Sequence, residues 1–228
     1  MMKGSKVLGA IALTMFLALP AAAVGTVTIN FDDLPNGDLP VGALSSYGIN
    51  SITSSGGSVP AHVYDANDCP SCGYVPPAGS HKFLVTAGGA YPGPTGYFYT
   101  TLIFDYATPF FSFYKLGYSV PSVGVAGWSA TAYNAADSVV DSVGVNLFGG
   151  LDYPPSPTAV PYTLSGSGIT KVVFTSNYNY QSTTGAVQVG DFQFGVPEPG
   201  TLPTFVFAGI ALAIGVLRKR QAASAPGR

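Results

Sequence analysis

Charge is scarce in this chain, at 9% of 228 residues, and between Val24 and Val196 there is neither Arg nor Glu. That span holds three lysines (Lys82, Lys115, Lys171) against ten aspartates, a formal charge of −7. Phosphate backbones are held mainly by Lys and Arg, so an acidic, arginine-free domain excludes nucleic acid as a partner. There is no HExxH, and Gly117-Tyr-Ser-Val-Pro121 lacks the closing glycine of a nucleophile elbow. Neither His62 nor His81 is near a candidate nucleophilic serine. No long stretch of the span shows helical periodicity.

The residues present are those of a β protein with many turns. Gly (29), Pro (19), Tyr (14) and Phe (14) are abundant, and aromatics suit a half-buried pleated surface. Short apolar or alternating runs at 27–31, 49–53, 82–86, 97–104, 109–116, 123–133, 138–147, 160–164, 170–175 and 187–194 read as strands. Asn36-Gly37, Gly56-Gly57, Gly88-Gly89 and Gly149-Gly150 read as turns between them. Residues 128–143 form the clearest hairpin, turning at Asn134-Ala-Ala-Asp137, because Asn and Asp tolerate left-handed backbone and bond their own main chain. In residues 187–194, Phe192 and Phe194 fall on one face, Asp191 and Gln193 on the other. The expected fold is all-β, a sandwich or jelly roll, over residues 24–195.

The two ends read as addresses. Residues 1–23 have a basic start (Lys3, Lys6), an apolar stretch over 7–19 and a small-residue end, Pro20-Ala-Ala-Ala23, as in a signal peptide cut by signal peptidase after Ala23. Residues 196–228 begin with a proline-stiffened tether carrying Pro197, Glu198 and Pro199. An apolar stretch follows over 202–217, about 24 Å long as a helix and marginal for a bilayer. Arg218, Lys219 and Arg220 then form a basic stop.

This Pro-Glu-Pro, apolar segment and basic cluster resemble the PEP-CTERM sorting signal of Gram-negative bacteria. Departures are Pro203 within the apolar segment and the extra residues 221–228. The resemblance implies recognition by exosortase, a membrane-embedded cysteine transpeptidase, with Glu198 as a recognition residue. It also implies transient residence in the inner membrane, then the outer envelope or extracellular matrix, and a link to exopolysaccharide and biofilm. An ordinary C-terminal anchor is the alternative. Ile29–Pro35 (INFDDLP), the 130–140 hairpin, 168–176 (GITKVVFTS) and 191–195 (DFQFG) further resemble PEP-CTERM passenger domains and a galactose-binding-like jelly roll.

Jelly rolls of this type often join first and last strands through an ion, so the resemblance implies a structural Ca²⁺ between Asp32, Asp33 and Asp191, with Asp38 as a further oxygen. Cys69 and Cys72, the only cysteines, read in an exported chain as a small disulfide pinning the Gly/Pro-rich excursion 62–81. The alternative is zinc held by His62, Cys69, Cys72 and His81. Aromatics crowd 91–118 (Tyr97, Phe98, Tyr99, Phe104, Tyr106, Phe110, Phe111, Phe113, Tyr114, Tyr118). They read as core, or with Trp128 as a sugar-stacking platform. The expectation is a non-enzymatic exported protein. A carbohydrate-binding module is the second reading. A secreted hydrolase built on two aspartates is the third.

Overall fold

The protein is described from a computed structural model covering residues 24–56, 60–87, 96–119, 125–145, 151–152, 156–178 and 186–197. The signal segment 1–23, Glu198, Pro199, the apolar stretch 202–217, Arg218, Lys219, Arg220 and the turns at 88–89 and 149–150 lie outside the described residues. Among the described residues no helix is long and apolar enough to cross a membrane.

Among the described residues thirteen strands follow one another: β1 (Val24–Ile29), β2 (Gly37–Asp38), β3 (Ile49–Ser55), β4 (His62–Asp65), β5 (Tyr74–Val75), β6 (Lys82–Val85), β7 (Gly96–Lys115), β8 (Gly117–Tyr118), β9 (Val125–Asn134), β10 (Val139–Val145), β11 (Leu151–Asp152), β12 (Val160–Tyr178) and β13 (Gln188–Pro197). All pairings are antiparallel. The fold is the expected all-β sandwich.

The layers are built by two strands that belong to both. β7 has 20 residues, a span of about 66 Å at 3.3 Å per residue if straight. Its first half pairs with β3 and with the second half of β12, which continues to β9 and β10. Its second half pairs with the first half of β12 and with β13. β13 in turn carries β6 on its early residues and β1 on its later ones, and β4 and β2 extend the layer from β6.

The runs 97–104 and 109–116 are one strand, β7, and the runs 160–164 and 170–175 are one strand, β12, each turned where the register shifts. Pro109 stands at an unpaired position between Thr108↔Ile169 and Phe110↔Ser165, where its missing N–H breaks no ladder bond. On β12 the register shifts between Ser165 and Ile169, with Gly168 at φ +75°. Buried Thr108 fixes the corner: its Oγ1 donates to Phe110 O (2.8 Å) and accepts from Gly195 N (2.9 Å). A second correction concerns the 62–81 excursion, whose first four residues form β4 against β6.

Alternation places the core between the layers. Leu102 and Phe104 of β7, Trp128, Ala130 and Ala132 of β9 and Val172 and Phe174 of β12 face Phe111, Phe113, Phe192, Phe194 and Ile29, all nearly inaccessible to solvent. Rings from both layers interlock: Phe174 meets Phe113 at 5.0 Å and Phe192 at 6.1 Å, and Phe104 meets Phe194 at 5.1 Å. The hairpin forms as expected. Asn134 Oδ1 accepts from Ala136 N and Ser138 N, and Asp137 takes the left-handed position at φ 56°.

Candidate functional site

Chain ends and loop chemistry meet at one place. β1 pairs with β13 from Val24↔Pro197 to Ile29↔Phe192, so the 3-10 turn Phe31–Asp33 that follows β1 arrives beside Asp191. Asn30 opens that turn by accepting from Asp32 N (2.9 Å). Asp32 then gathers the start of β6. Its Oδ1 accepts from Lys82 N (2.7 Å), His81 N (3.0 Å) and Ser80 Oγ (3.3 Å), while Lys82 Nζ reaches back to Leu34 O (2.9 Å). His81 stands between two carboxylates, Nδ1 3.2 Å from Asp32 and Nε2 3.5 Å from Asp65.

Burial alone raises the Asp32 carboxyl, but the two backbone N–H groups, the His81 ring and the Ser80 hydroxyl outweigh it and hold it below its ordinary value. Asp191 goes the other way. Burial, and then repulsion from Asp32, pushes its carboxyl up. Its Oδ1 is inaccessible and has no hydrogen-bond partner among the described residues. Its backbone is left-handed, φ 43°, at the bulge where β13 slips register against β7 between Gly190 and Gln193.

Over Asp191 opens a pocket of about 540 Å³, walled by residues 75–78, Tyr114, Thr158 and Ala159. Two glycines let its walls approach. A Cβ on Gly190 would lie 3.2 Å from Pro77 Cδ, and one on Gly117 would lie 2.4 Å from the Thr158 carbonyl carbon. The proline-bearing wall is braced at one end by the Asp32 bonds and at the other by the Cys69–Cys72 disulfide, which is formed.

The expected calcium set is brought together in part. Asp32 and Asp191 interact, Asp33 and Asp38 are exposed, and the Asp32 Oδ1 is engaged by the 80–82 segment. The sulfurs of the zinc alternative are joined to each other, and His81 stands against the carboxylates of Asp32 and Asp65. Among the described residues no group of three or more His, Cys, Asp or Glu side chains is placed to hold a metal ion.

The aromatics separate into two populations. Trp128, Phe98, Phe104, Phe111, Phe113 and Tyr118 are buried, and Tyr118 donates to Gln188 Oε1 beneath the surface. Tyr97, Tyr99 and Tyr106 are 40%, 39% and 53% exposed. Tyr97 and Tyr99 lie on the outer face of β7 with Thr101 and Ile103. Tyr99 is flanked by Ser55 of β3 and Thr175 of β12, and Thr101 by Thr53 and Val173. Ser129 and Thr131 of β9 continue the two rows. At one corner Lys171 Nζ lies 4.5 Å from the Tyr133 ring centre and 2.6 Å from Asp137 Oδ1. The result is a hydroxyl-lined sheet face carrying exposed rings.

Nothing in the sequence singles out Pro76, Pro77, Thr158, Ala159 or Ser80 as site residues, and Lys82 stands out there only as one of the three cations between Val24 and Val196. The Pro-Pro pair was a signal for a stiff wall, but nothing local tells which strand it covers.

No protein-family model and no curated protein matches the chain. Among solved structures it is similar to the K2 cleaved adhesin domain of Lys-gingipain (15% identity, 75% of this chain and 99% of that one, TM-score 0.47). It is also similar to an arabinose-bound GH51 α-L-arabinofuranosidase (10%, 75% and 26%, TM-score 0.44). A third is TmCBM61 in complex with β-1,4-galactotriose (11%, 74% and 95%, TM-score 0.37). At these identities and TM-scores the likenesses carry no functional weight.

Proposed function

We propose that this is an exported, non-enzymatic surface protein, delivered through its PEP-CTERM tail, whose sandwich binds extracellular polysaccharide on the outer face of β7. The observation that carries the binding role is the exposed pair Tyr97 and Tyr99 on a face that also presents Ser55, Thr53, Thr101 and Thr175 beside the apolar Ile103 and Val173. Aromatic faces stack on sugar rings, and neighbouring hydroxyls exchange hydrogen bonds with sugar hydroxyls. A binding role rather than hydrolysis is supported by the acid pair. Asp191 lines a pocket, whereas Asp32 does not line it and holds the 80–82 segment instead. Two open carboxylates are what hydrolysis of a glycosidic bond requires.

Affinity electrophoresis of the full-length protein through the host's own exopolysaccharide tests the binding role. Retardation that disappears in Tyr97→Ala/Tyr99→Ala is expected; unchanged retardation refutes the assignment of the face. Intact mass of the protein from its host tests the delivery. A chain beginning near Val24 and ending between Pro197 and Gly200 is expected, and one still ending at Arg228 makes the tail a plain anchor.

A further inference from the structure

We propose that the pocket over Asp191 is a binding site for a small organic cation, a primary ammonium group on a compact apolar or ring-shaped frame. The volume, about 540 Å³, is within the range of small-molecule sites. The walls are proline, alanine and valine, with hydroxyls supplied by Tyr114 and Thr158. In such a setting one polar group decides what is bound, and here it is a carboxylate.

That carboxylate lacks what a buried anion ordinarily has. Its Oδ1 is fully buried with no partner among the described residues, and native proteins leave few such atoms unpaired. The charged neighbour acting on it is Asp32, of the same sign. Its left-handed backbone places it at a bulge that interrupts the β13–β7 ladder. An ammonium group in the pocket, which Asp191 lines, sets a compensating positive charge beside a carboxylate whose burial and like-charged neighbour both disfavour ionisation. The tyrosine ring adds an attractive face for a cation. The formal charge of −7 on the sandwich favours cation approach.

Other occupants fit less well. Ca²⁺ requires six to eight oxygens, and no group of three or more His, Cys, Asp or Glu side chains gathers among the described residues. A neutral sugar satisfies the hydroxyl-bearing walls but leaves the buried charge uncompensated. The site stands independently of the tyrosine face, which belongs to the other layer.

The test is calorimetric titration of the full-length protein at neutral pH with n-butylamine, D-glucosamine, D-glucose, N-acetyl-D-glucosamine and CaCl₂. Saturable binding of an amine, at least tenfold tighter than of D-glucose or N-acetyl-D-glucosamine, is expected. Asp191→Asn is expected to weaken it at least tenfold, and Tyr97→Ala/Tyr99→Ala to leave it unchanged. Ala78→Phe, on the exposed wall, fills the pocket and is expected to weaken amine binding without touching the carboxylate, which keeps the test open if the Asp191 variant misfolds. Absence of binding by both amines overturns the proposal. So does equal binding of charged and uncharged sugars, Ca²⁺ binding that Asp191→Asn removes, or amine binding that survives both pocket variants.

Discussion

Asp32 and Asp191 are electrostatic neighbours whose surroundings shift them in opposite directions, so the same conservative change should move stability in opposite directions. Asp32→Asn leaves an acceptor of the same shape but removes the charge that three donors share. A hydrogen bond to a charged group contributes about 1.5–3 kcal/mol and a neutral one about 0.5–1.5. Because the carboxylate keeps some contact with solvent, the net loss is set at about 1–2 kcal/mol. For a domain of this size each kcal/mol moves Tm by about 2–4 °C, giving a fall of about 2–8 °C at pH 7. Asp191→Asn removes a desolvated anion that Asp32 repels, and Asn accepts the left-handed φ of 43°. The expected gain is on the order of 1 kcal/mol, a rise of about 2–4 °C.

The pH dependence supplies the sign test. Asp32 ionises in the folded protein below its ordinary 3.8, so its contribution is complete above that value and is lost as pH falls through the folded one. Wild type and Asp32→Asn therefore converge in acid. Asp191 ionises in the folded protein above 3.8, so the unfolded chain releases its proton first as pH rises. The wild type loses stability across that window, and Asp191→Asn surpasses it only above the window. Thermal denaturation followed by circular dichroism at pH 3 and pH 7 measures both. A fall in Tm for Asp191→Asn at pH 7, or shifts of one sign for both variants, refutes the reasoning.

Phe174 packs on Phe111, Phe113 and Phe192 of the opposite layer, and Phe174→Ala should lower unfolding free energy by about 3–5 kcal/mol in denaturant titration. Gly117→Ala places its Cβ against Thr158 backbone, so it should destabilise by more than 1 kcal/mol and reduce amine binding by shifting the 156–159 wall. Cys69→Ser/Cys72→Ser opens a loop with a sequence separation of 3, which in the chain-entropy treatment gives about 2 kcal/mol, a fall of about 4–8 °C. EDTA should leave the wild-type Tm unchanged; a chelator-induced fall would restore a metal reading, and recovery on adding back CaCl₂ or ZnCl₂ would assign it to Asp32, Asp33 and Asp191 or to His62, Cys69, Cys72 and His81.

What was legible in the sequence is what alternation and turn chemistry encode within about ten residues. The β13 pattern with Phe192 and Phe194 inward, the Asn134–Asp137 turn and the cores of β3, β6 and β9 are all of this kind. The approach of first to last strand was legible through the resemblance of INFDDLP and DFQFG to a jelly roll, and it placed Asp32 near Asp191. Pro109 and Gly168 misled because punctuation in sequence has two structural meanings. A proline between paired positions or a glycine at positive φ can end a strand or merely turn it. Only the partner strand decides which, and the pairs that flank both residues, Phe110↔Ser165 and Thr108↔Ile169, join positions 55 and 61 residues apart.

The pocket shows why the remainder stayed hidden. Its walls come from segments near 76, 114, 158 and 191 that share no period and no motif. Two of its determinants are absences: the missing Cβ atoms of Gly117 and Gly190, which let Thr158 and Pro77 close in. Asp191 is different from the other aspartates of the sandwich only after folding. The same residue type is a turn former at Asp137, a backbone clamp at Asp32 and an unpartnered acid at Asp191. Composition predicted a domain short of positive charge. Folding determines where that shortage is felt, and it is felt at the half-buried aspartate with one carboxylate oxygen closed to water and another aspartate acting on it.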